Sequence, residues 1–419
     1  MTTGRPLKRE SVVRAALVGG PMYDPLYESL PAFERQSGLK VEVVCHLPHP
    51  ELNAYVKETF ESGEADIDLL STHTKYAPSQ AQWLSPLEDA IPAGDVADLL
   101  AHPTELARID GHLFQIPRNL DVRLLHYRRD LFEDAVAQKD FESVSGRSLR
   151  VPETWTELAD VASFFARRNR GIRYGFLFPG RDSGLFGTFY EFLVSAGGHL
   201  FDESLRPAFA SPAGVWAAGQ IGELHNGRRT TPADLESWHY DEISASFRRG
   251  EAALVSDWPG SYHLYKDRAT CEVWDRIGLA LLPAGPAGER AAYAGCHSFA
   301  IPSSARNRPG GAALLRFLTS FEQQLGEARR GAIPCRASAL RSIRAEAEAD
   351  PSEGRRWQLL AETERFMIIP PRFAAYPSCE DAIWRSVQQA MLGRSTPEQA
   401  VRRAASEVER IVELHVTAR

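Results

Sequence analysis

The stretch that decides the fold runs from Ile109 to Phe132 and reads IDGHLFQIPRNLDVRLLHYRRDLF. Its Asp110-Gly111 pair lies between apolar runs and predicts a tight β-hairpin turn, because glycine adopts positive φ at no steric cost. Pro117 lacks the N–H that a central strand needs, so we expect it to prevent a regular ladder from continuing there. The segment from Leu120 to Tyr127 is extended, β-rich and partly charged. A segment of this kind can pass between two lobes of a protein.

Length and composition predict a globular protein of two domains. The chain has 419 residues, more than one hydrophobic core usually serves, and 43% of them are apolar, which suits packed cores. The net charge is -7 and arginine is spread along the chain, which argues against a nucleic-acid or anionic-membrane partner. Because no run of about 18 apolar residues occurs, we expect no segment that spans a bilayer.

The beginning of the sequence bears on location. After the basic residues near the start, the apolar run from Ala15 to Val18 ends at Gly19-Gly20. A secretory signal needs about 7–15 apolar residues, so this run is too short and is better used as the first core strand. The sequence therefore predicts no visible export signal, which keeps a cytoplasmic location open.

The cysteines favour free thiols over a disulfide framework. There are five, an odd number, at scattered spacings and without a C-x-x-C pair. We expect them to be buried and reduced, although a single bridge stays open. They are Cys45, Cys271, Cys296, Cys335 and Cys379.

Strand and helix patterns alternate along the first part of the chain. The expected elements are a strand at Val12–Val18, a helix at Tyr27–Ser37, a strand at Leu39–Cys45, a helix at Glu51–Ser62 and a strand at Ile67–Leu70. Such alternation with short loops predicts an α/β fold with a mostly parallel sheet. Ligands on these sheets bind outside the carboxyl ends of the strands.

The opening stretch also resembles a known family. The hairpin, the Ile-Pro pair, an acidic residue, a strand ending in His-Tyr and then Arg-Asp-Leu-Phe resemble the first interlobe crossing of the family 1 extracellular solute-binding proteins of ABC importers. The chain departs from that pattern at Arg128, where Asn is typical. Nine further segments match the family in the right order, and together they make a strong signal: residues 33–43, 63–72, 83–89, 151–158, 195–202, 246–261, 293–307, 314–324 and 391–401.

This resemblance implies a two-lobed, hinged α/β fold of the type II periplasmic-binding-protein kind, in which each lobe is a mostly parallel sheet flanked by helices. The chain would cross between lobes near residues 121–123, 293–297 and 333–337. The N-lobe would then take residues 1–121 and 293–335, and the C-lobe 122–292 and 336–419. Closure of such lobes around a solute needs only a few hinge residues.

The implied function is that of the substrate-binding component of an ABC importer. It would capture a carbohydrate or polyol in the interlobe cleft and deliver it to the membrane permease subunits. The expected location is periplasmic or extracellular, and the expected state is a monomer. No nucleic-acid partner, metal, cofactor or catalysis is expected.

Candidate binding residues follow from the chemistry of sugars, which present apolar C–H faces and rings of hydroxyls. A site for them needs aromatic plates and planar charged or amide groups. Residues of both types stand at strand ends and at the crossings. The candidates are Tyr23, Asp24, Thr72, His73, Arg118, Asp121, Phe186, Trp258, His297, Arg372 and Tyr376.

Several candidates have a structural alternative. Trp258 follows a buried strand in an Asp-Trp-Pro-Gly turn, where exposure to a cleft is more common than burial. The alternatives are a helix N-cap for Asp24, helix capping for Thr72, an interlobe salt bridge to Arg123 for Asp121, core packing for Phe186 and a hinge role for His297.

Other functions have less support. The sequence contains no G-x-S-x-G, H-E-x-x-H, Walker or G-x-G-x-x-G motif and no kinase set. Scattered carboxylates can still assemble a glycosidase dyad in three dimensions, which leaves a glycoside-acting enzyme open. A cytoplasmic or signalling module for an anionic sugar is a further alternative, because Lys75, Arg118, Arg336 and Arg372 are cationic.

Overall fold

A computed structural model describes residues 9–168 and 171–417 of the chain. The strands are β1 Val12–Val18, β2 Lys40–Leu47, β3 Leu69–His73, β4 Arg108–Ile109, β5 His112–Leu113, β6 Ile116–Val122, β7 Leu124–Arg128, β8 Tyr174–Leu177, β9 Ala252–Asp257, β10 Ile277–Ala280, β11 Ala292–Ala300, β12 Ile333–Pro334 and β13 Met367–Ile368. The helices are α1 Asp24–Ser37, α2 His49–Glu61, α3 Ala77–Gln80, α4 Ala93–Ala97, α5 Ala101–Leu106, α6 Arg129–Glu133, α7 Ala135–Ser145, α8 Trp155–Arg168, α9 Asp182–Ser195, α10 Pro212–Gly222, α11 Tyr240–Arg248, α12 Tyr262–Lys266, α13 Arg308–Leu318, α14 Phe321–Arg329, α15 Ala337–Ala347, α16 Pro351–Thr363, α17 Tyr376–Met391 and α18 Pro397–Thr417.

The chain forms two compact α/β units, each discontinuous in sequence. Unit 1 takes the described residues up to Asp121 together with Gly295–Gly354 and Arg372–Ala374. Unit 2 takes Val122–Ala294, Arg355–Pro371 and the described residues from Ala375 onward. The predicted α/β class with two lobes is thereby confirmed.

The third change of unit lies after Gly354, later than the expected boundary after Cys335. The reason is local packing, because α15 packs against α14 and β12 and so stays with unit 1. The first two changes of unit, after Asp121 and after Ala294, lie at or close to the expected positions.

Unit 1 is built on a sheet with strand order β12, β6, β11, β3, β1, β2. Strand β1 pairs in parallel with β2 and β3, whereas β11 is antiparallel to β3. Alternate residues of β1 enter different apolar clusters: Val13, Ala15 and Leu17 join one, and Ala16 and Val18 join the other. Side chains of a strand alternate between its faces, so both faces of this sheet are covered.

Pro117 lies inside β6, so the expectation that it prevents a regular ladder is wrong. Strand β12 pairs only with Asn119 and Leu120 of β6 and leaves the neighbourhood of Pro117 uncovered on that side. A proline that lacks an N–H is tolerated where no partner strand asks for that donor. The predicted Asp-Gly turn is confirmed earlier in the chain, with φ of 50° at Asp110 and 82° at Gly111 in the β4–β5 hairpin.

Unit 2 is built on a smaller sheet with strand order β10, β7, β9, β8. Only β8 and β9 run in parallel, whereas β7 is antiparallel to both of its neighbours. The prediction of a mostly parallel sheet is therefore wrong for this unit. Strand β7 follows β6 after one residue, whereas its antiparallel partners β9 and β10 come much later in the chain.

Two predicted helix ends are confirmed, the N-terminus of α8 and the C-terminus of α1. In the predicted capping box before α8, the Glu157 N–H donates to Thr154 Oγ1 at 3.2 Å and the Thr154 N–H donates to Glu157 Oε2 at 3.3 Å. Helix α1 ends at Gly38, whose φ of 73° is the left-handed conformation expected of a C-terminal glycine.

All five cysteines are buried and free, as predicted. Cys296 and Cys335 come nearest to one another, with 3.7 Å between their sulfur atoms. Within residues 9–168 and 171–417, no helix combines the length and the apolar character needed to cross a membrane.

Candidate functional site

Unit 1 gathers a polar cluster where its strands end. His73 is the last residue of β3 and lies opposite His297 in the antiparallel register of β3 and β11. His297 Nε2 lies 2.9 Å from a carboxylate oxygen of Asp121 and 3.2 Å from the hydroxyl oxygen of Tyr23. Three sequence candidates from different parts of the chain (Tyr23, Asp121 and His297) thus meet at one place.

His49 completes this cluster. Its Nε2 lies 2.9 Å from Nδ1 of His297, and the two imidazole rings are 4.6 Å apart. In the tautomer whose Nε2–H donates to the carboxylate of Asp121, Nδ1 of His297 accepts from the His49 N–H. The cluster therefore combines imidazoles, a carboxylate and a phenol, the kind of planar polar groups that bind hydroxyls.

His73 stays neutral within this cluster. Burial lowers the pKa of His73 well below its usual value, and the charges of His297, Lys75 and His49 add to the effect. Backbone N–H groups of Lys75 and Cys296 also point at its two ring nitrogens, at 3.1 Å and 3.0 Å. A neutral imidazole has one acceptor nitrogen and can accept from one of these two N–H groups, whereas a protonated ring could accept from neither.

The arginines of unit 1 are held by internal partners. Arg118 forms a bidentate ion pair with Glu327, with Nε to Oε2 at 3.0 Å and Nη2 to Oε1 at 2.9 Å, and both residues are buried. Arg372 donates to the carbonyl oxygens of Thr74 at 3.3 Å and Arg108 at 2.9 Å, and burial lowers its pKa. These contacts use N–H donors of both guanidinium groups, so fewer donors are left to bind an anion.

Two other candidates of unit 1 have structural roles. The buried Thr72 hydroxyl donates to Gln80 Oε1 at 2.6 Å. Asp24 is exposed in the first turn of α1, and the N-cap position belongs to Tyr23, so the alternative of a cap by Asp24 is wrong. Asp121 pairs with His297 and Arg123 pairs with Glu191, which replaces the Asp121–Arg123 pair weighed from the sequence.

Unit 2 presents an aromatic cluster around Trp258. The Trp258 ring is half-buried, 5.4 Å from the ring of Tyr240 and 5.7 Å from the ring of Tyr293. Its backbone N–H donates to Asp257 at 2.8 Å, and the Tyr265 hydroxyl donates to the same carboxylate. The turn that carries Trp258 is therefore fixed on both sides, and the indole is available as a rigid plate for an apolar sugar face.

Phe186 and Tyr376 lie behind this plate rather than on it. Both are fully buried, their rings are 6.2 Å apart, and the Tyr376 hydroxyl donates to Glu380 at 2.6 Å. This placement matches the core-packing alternative for Phe186 and gives Tyr376 a supporting position.

Buried acids accompany the plate. Burial raises the pKa of Asp257 to about 6, although the Tyr265 hydroxyl and the Trp258 N–H act in the opposite direction. Burial raises the pKa of Glu191 to about 7, against the opposing effects of the Arg123 charge and the Tyr293 N–H.

Glu191 predicts a pH dependence of stability with a definite sign. The native protein holds this proton more tightly than the unfolded chain, whose glutamate titrates near 4.5. Its stabilising contribution is thus fully present below that pH and is lost as the pH rises through about 7. We expect the free energy of unfolding of the wild type, relative to Glu191→Gln, to fall between about pH 5 and about pH 8 in urea titrations.

Glu157→Gln is the matched control on the neighbouring helix α8. Burial acts to raise the pKa of Glu157, but hydrogen bonds from the Glu153 N–H and the Arg150 guanidinium outweigh burial and lower it. Its contribution is present above the unfolded value and is lost only in acid, so its difference from the wild type stays flat over the same range. If the difference in free energy of unfolding between the wild type and Glu191→Gln is also independent of pH over this range, the prediction is wrong.

Sequence reasoning missed His49 and Glu191. The signal for His49 was its position just after β2, since ligands bind beyond the carboxyl ends of such strands. The signal for Glu191 was its place as a single carboxylate within the otherwise apolar second half of α9. Among the residues that the structure describes, no cluster of His, Cys, Asp and Glu has the makings of a metal site.

Comparison with known proteins agrees with this architecture. The family model of the bacterial extracellular solute-binding proteins matches residues 29–352, so the chain belongs to that family. A probable ABC transporter-binding protein of Deinococcus radiodurans is 25% identical over 311 residues, which cover 73% of this chain and 71% of the relative. The mannitol-binding protein of Pseudomonas aeruginosa is 25% identical over 62% of this chain and 57% of its own length.

A solved structure gives the same picture of the fold. T. maritima MalE3 with maltose bound is 27% identical, with a TM-score of 0.84 over 96% of this chain and 99% of that one. The family and these relatives are described as solute-binding or transporter-binding proteins, and none of them as an enzyme.

Proposed function

We propose that this protein captures a sugar or polyol as the substrate-binding component of an ABC importer and makes or breaks no bond in it. The observation that carries the solute class is the half-buried Trp258 plate, backed by Tyr240 and Tyr293. An indole face suits the C–H face of a sugar or the carbon chain of a polyol. The relatives that bind mannitol and maltose support the same class.

The polar cluster of unit 1 supplies the second kind of contact that such a solute needs. The carboxylate of Asp121 and the rings of His297 and His49 are planar groups that pair with neighbouring hydroxyls. The polar cluster of unit 1 and the aromatic plate of unit 2, each taken by itself, are two kinds of chemistry that carbohydrate-binding proteins use.

The charges favour a neutral solute over an anionic one. Arg118 is paired with Glu327, and Arg336 is paired with Asp95 and Asp98. The carboxylate partner of an ion-paired guanidinium neutralises its field and occupies its N–H donors, so the guanidinium attracts an anion less strongly. This weighs against the alternative of an anionic sugar.

Family membership supports delivery of the solute to ABC permease subunits, a periplasmic or extracellular location and action as a monomer. In this role the protein only binds and releases its solute. Incubation with a set of glycosides should therefore give equilibrium binding without any hydrolysis product, and turnover of a glycoside would contradict the proposal.

A thermal-shift screen tests the solute class. A ligand that binds only the native state stabilises it by about 2.7 kcal/mol at one hundred times its Kd. We expect at least one compound from a panel of maltose, D-mannitol, ribitol and D-tagatose to raise the melting temperature. Glucuronate and a sugar phosphate serve as the anionic arm of the panel. A rise with the anionic compounds alone overturns the neutral solute class, and no rise with any compound overturns both classes.

A further inference from the structure

A guanidinium is buried behind the aromatic plate of unit 2. Arg123 is 0% exposed, its Nε lies 3.1 Å from an oxygen of Glu191, and its Nη1 donates to the Thr188 hydroxyl at 3.2 Å. Nε and Nη2 both lack a hydrogen-bond partner among the residues that the structure describes, so the contact with Glu191 is an ion pair without the geometry of a hydrogen bond. A buried cation that leaves a donor unsatisfied is costly, so its position calls for a reason other than its hydrogen bonds.

The reason lies in the rings that flank it. The central carbon of the guanidinium is 5.3 Å from the ring centre of Trp258 and 5.4 Å from that of Tyr293. Both distances lie within the range of cation–π attraction, which runs to about 6 Å. One cation thus contacts both rings, and the two rings are themselves tilted at 52° to each other.

The backbone of α9 passes close to the guanidinium at Gly187. A methyl group at Gly187 on α9 would overlap Nη2 of Arg123 and the ring of Tyr293. Glu191, one turn further along the same helix, holds the other side of the guanidinium. Helix α9 therefore fixes the cation, and the cation in turn contacts the rings.

We propose that Arg123 is a positioning residue for solute binding, which holds the rings of Trp258 and Tyr293 in the orientation that the solute meets. This inference rests on the proposed function, in which Trp258 contacts the solute. Arg123 itself is fully buried and acts through the rings. Stability alone does not account for the Arg123–Glu191 pair, because replacing a buried ion pair by apolar groups of similar size is often neutral or stabilising.

The central test is a double variant, Arg123→Met with Glu191→Gln. It removes the cation, keeps a side chain of similar length, and avoids leaving a lone buried charge. We expect its melting temperature to stay near that of the wild type, while its affinity for the panel compound that binds the wild type falls roughly 2- to 13-fold, the cost of ordering one released side chain on binding. Arg123→Lys keeps the charge without the planar stack and should recover part of the loss.

The matched control is Arg128→Met with Asp130→Asn. This is another arginine–carboxylate pair of unit 2, in which Arg128 is buried, the Asp130 side chain is 35% exposed and Nη2 lies 2.7 Å from the carboxylate. Because the cation–π contacts of Trp258 and Tyr293 are made by Arg123, we expect the control to leave affinity unchanged.

A second readout needs no ligand and separates this inference from the proposed function. The emission of Trp258 is obtained by subtracting the spectrum of a Trp258→Phe version of each protein, and its quenching by acrylamide is then measured. We expect the quenching of Trp258 to rise in the double variant and, by less, in Arg123→Lys. Unchanged quenching in both overturns the positioning role whatever the affinity does. If no panel compound binds the wild type, the proposed function fails and the quenching difference still decides the role of Arg123.

Discussion

Replacing Trp258 by Ala should weaken solute binding by about 1–3 kcal/mol, the usual cost of removing an aromatic contact at the centre of a site. In Kd this corresponds to roughly a 5- to 150-fold increase. The indole is half-buried, and its position is fixed by the rings of Tyr240 and Tyr293. Such a preformed ring loses little conformational entropy on binding, so nearly all of the free energy of its contact with the solute contributes to affinity. Calorimetric titration with the compound identified by the thermal screen gives the number.

Trp274→Ala is the control for this prediction. Trp274 is also a partly exposed tryptophan of unit 2, but its ring stacks on the guanidinium of Arg268 at 4.2 Å and lies outside the cluster around Trp258. We expect an unchanged Kd for this variant. Equal losses in the two variants, or no loss in either, would remove Trp258 from the site.

A single methyl group at Gly187 should destabilise the protein, whereas the same change at Gly219 should not. At Gly187 the new carbon overlaps Nη2 of Arg123 and the ring of Tyr293, both of which are buried. Overpacking of this kind typically costs about 1–3 kcal/mol. The displaced rings should also lower solute affinity.

Gly219 lies in the neighbouring helix α10, where the nearest atom to an added Cβ is 3.7 Å away on Pro397. Alanine is a better helix former than glycine, so Gly219→Ala should stabilise by about 0.5–1 kcal/mol. Urea unfolding of the two variants measures both effects. The prediction is that the free energy of unfolding falls for Gly187→Ala and rises for Gly219→Ala. If both variants were destabilised, the overlap at Gly187 would not be the cause of the destabilisation.

Much of the fold was predictable because local chemistry specified it. The strand Val12–Val18 was predicted with its bounds, since its apolar run is limited by polar residues and by Gly19. The hairpin at Asp110-Gly111 and the capping box at Thr154 were predictable for the same reason, because their residues satisfy the backbone over a few positions. The features that failed depend on partners distant in sequence. Pro117 is tolerated because β12 is short, and β7 is antiparallel because of the strands that come to flank it.

The candidate site likewise has features that were predictable from the sequence and features that depend on partners distant in sequence. Residue type identified Trp258, Asp121 and His297, because aromatic and planar polar groups after strands are informative by themselves. The ion-pair partners of the arginines were not predictable, because tertiary packing selects them. Arg123 pairs with Glu191, 68 positions later in the chain (191 minus 123). Arg118 pairs with Glu327, 209 positions later (327 minus 118). The burial of Phe186 and Tyr376 was not predictable either, because an aromatic side chain near a strand end can pack in a core or line a binding site.

The burial of every cysteine has a practical consequence for measuring what this protein binds. None of the five thiols is more than 7% exposed, so a maleimide reagent meets little competition from them on the folded chain. Val144 is 75% exposed on α7, and a cysteine introduced there offers a dye one accessible attachment point on an otherwise native background. Labelling should be rapid for Val144→Cys and slow for the wild type, which would give a protein labelled at one position without the removal of any native cysteine.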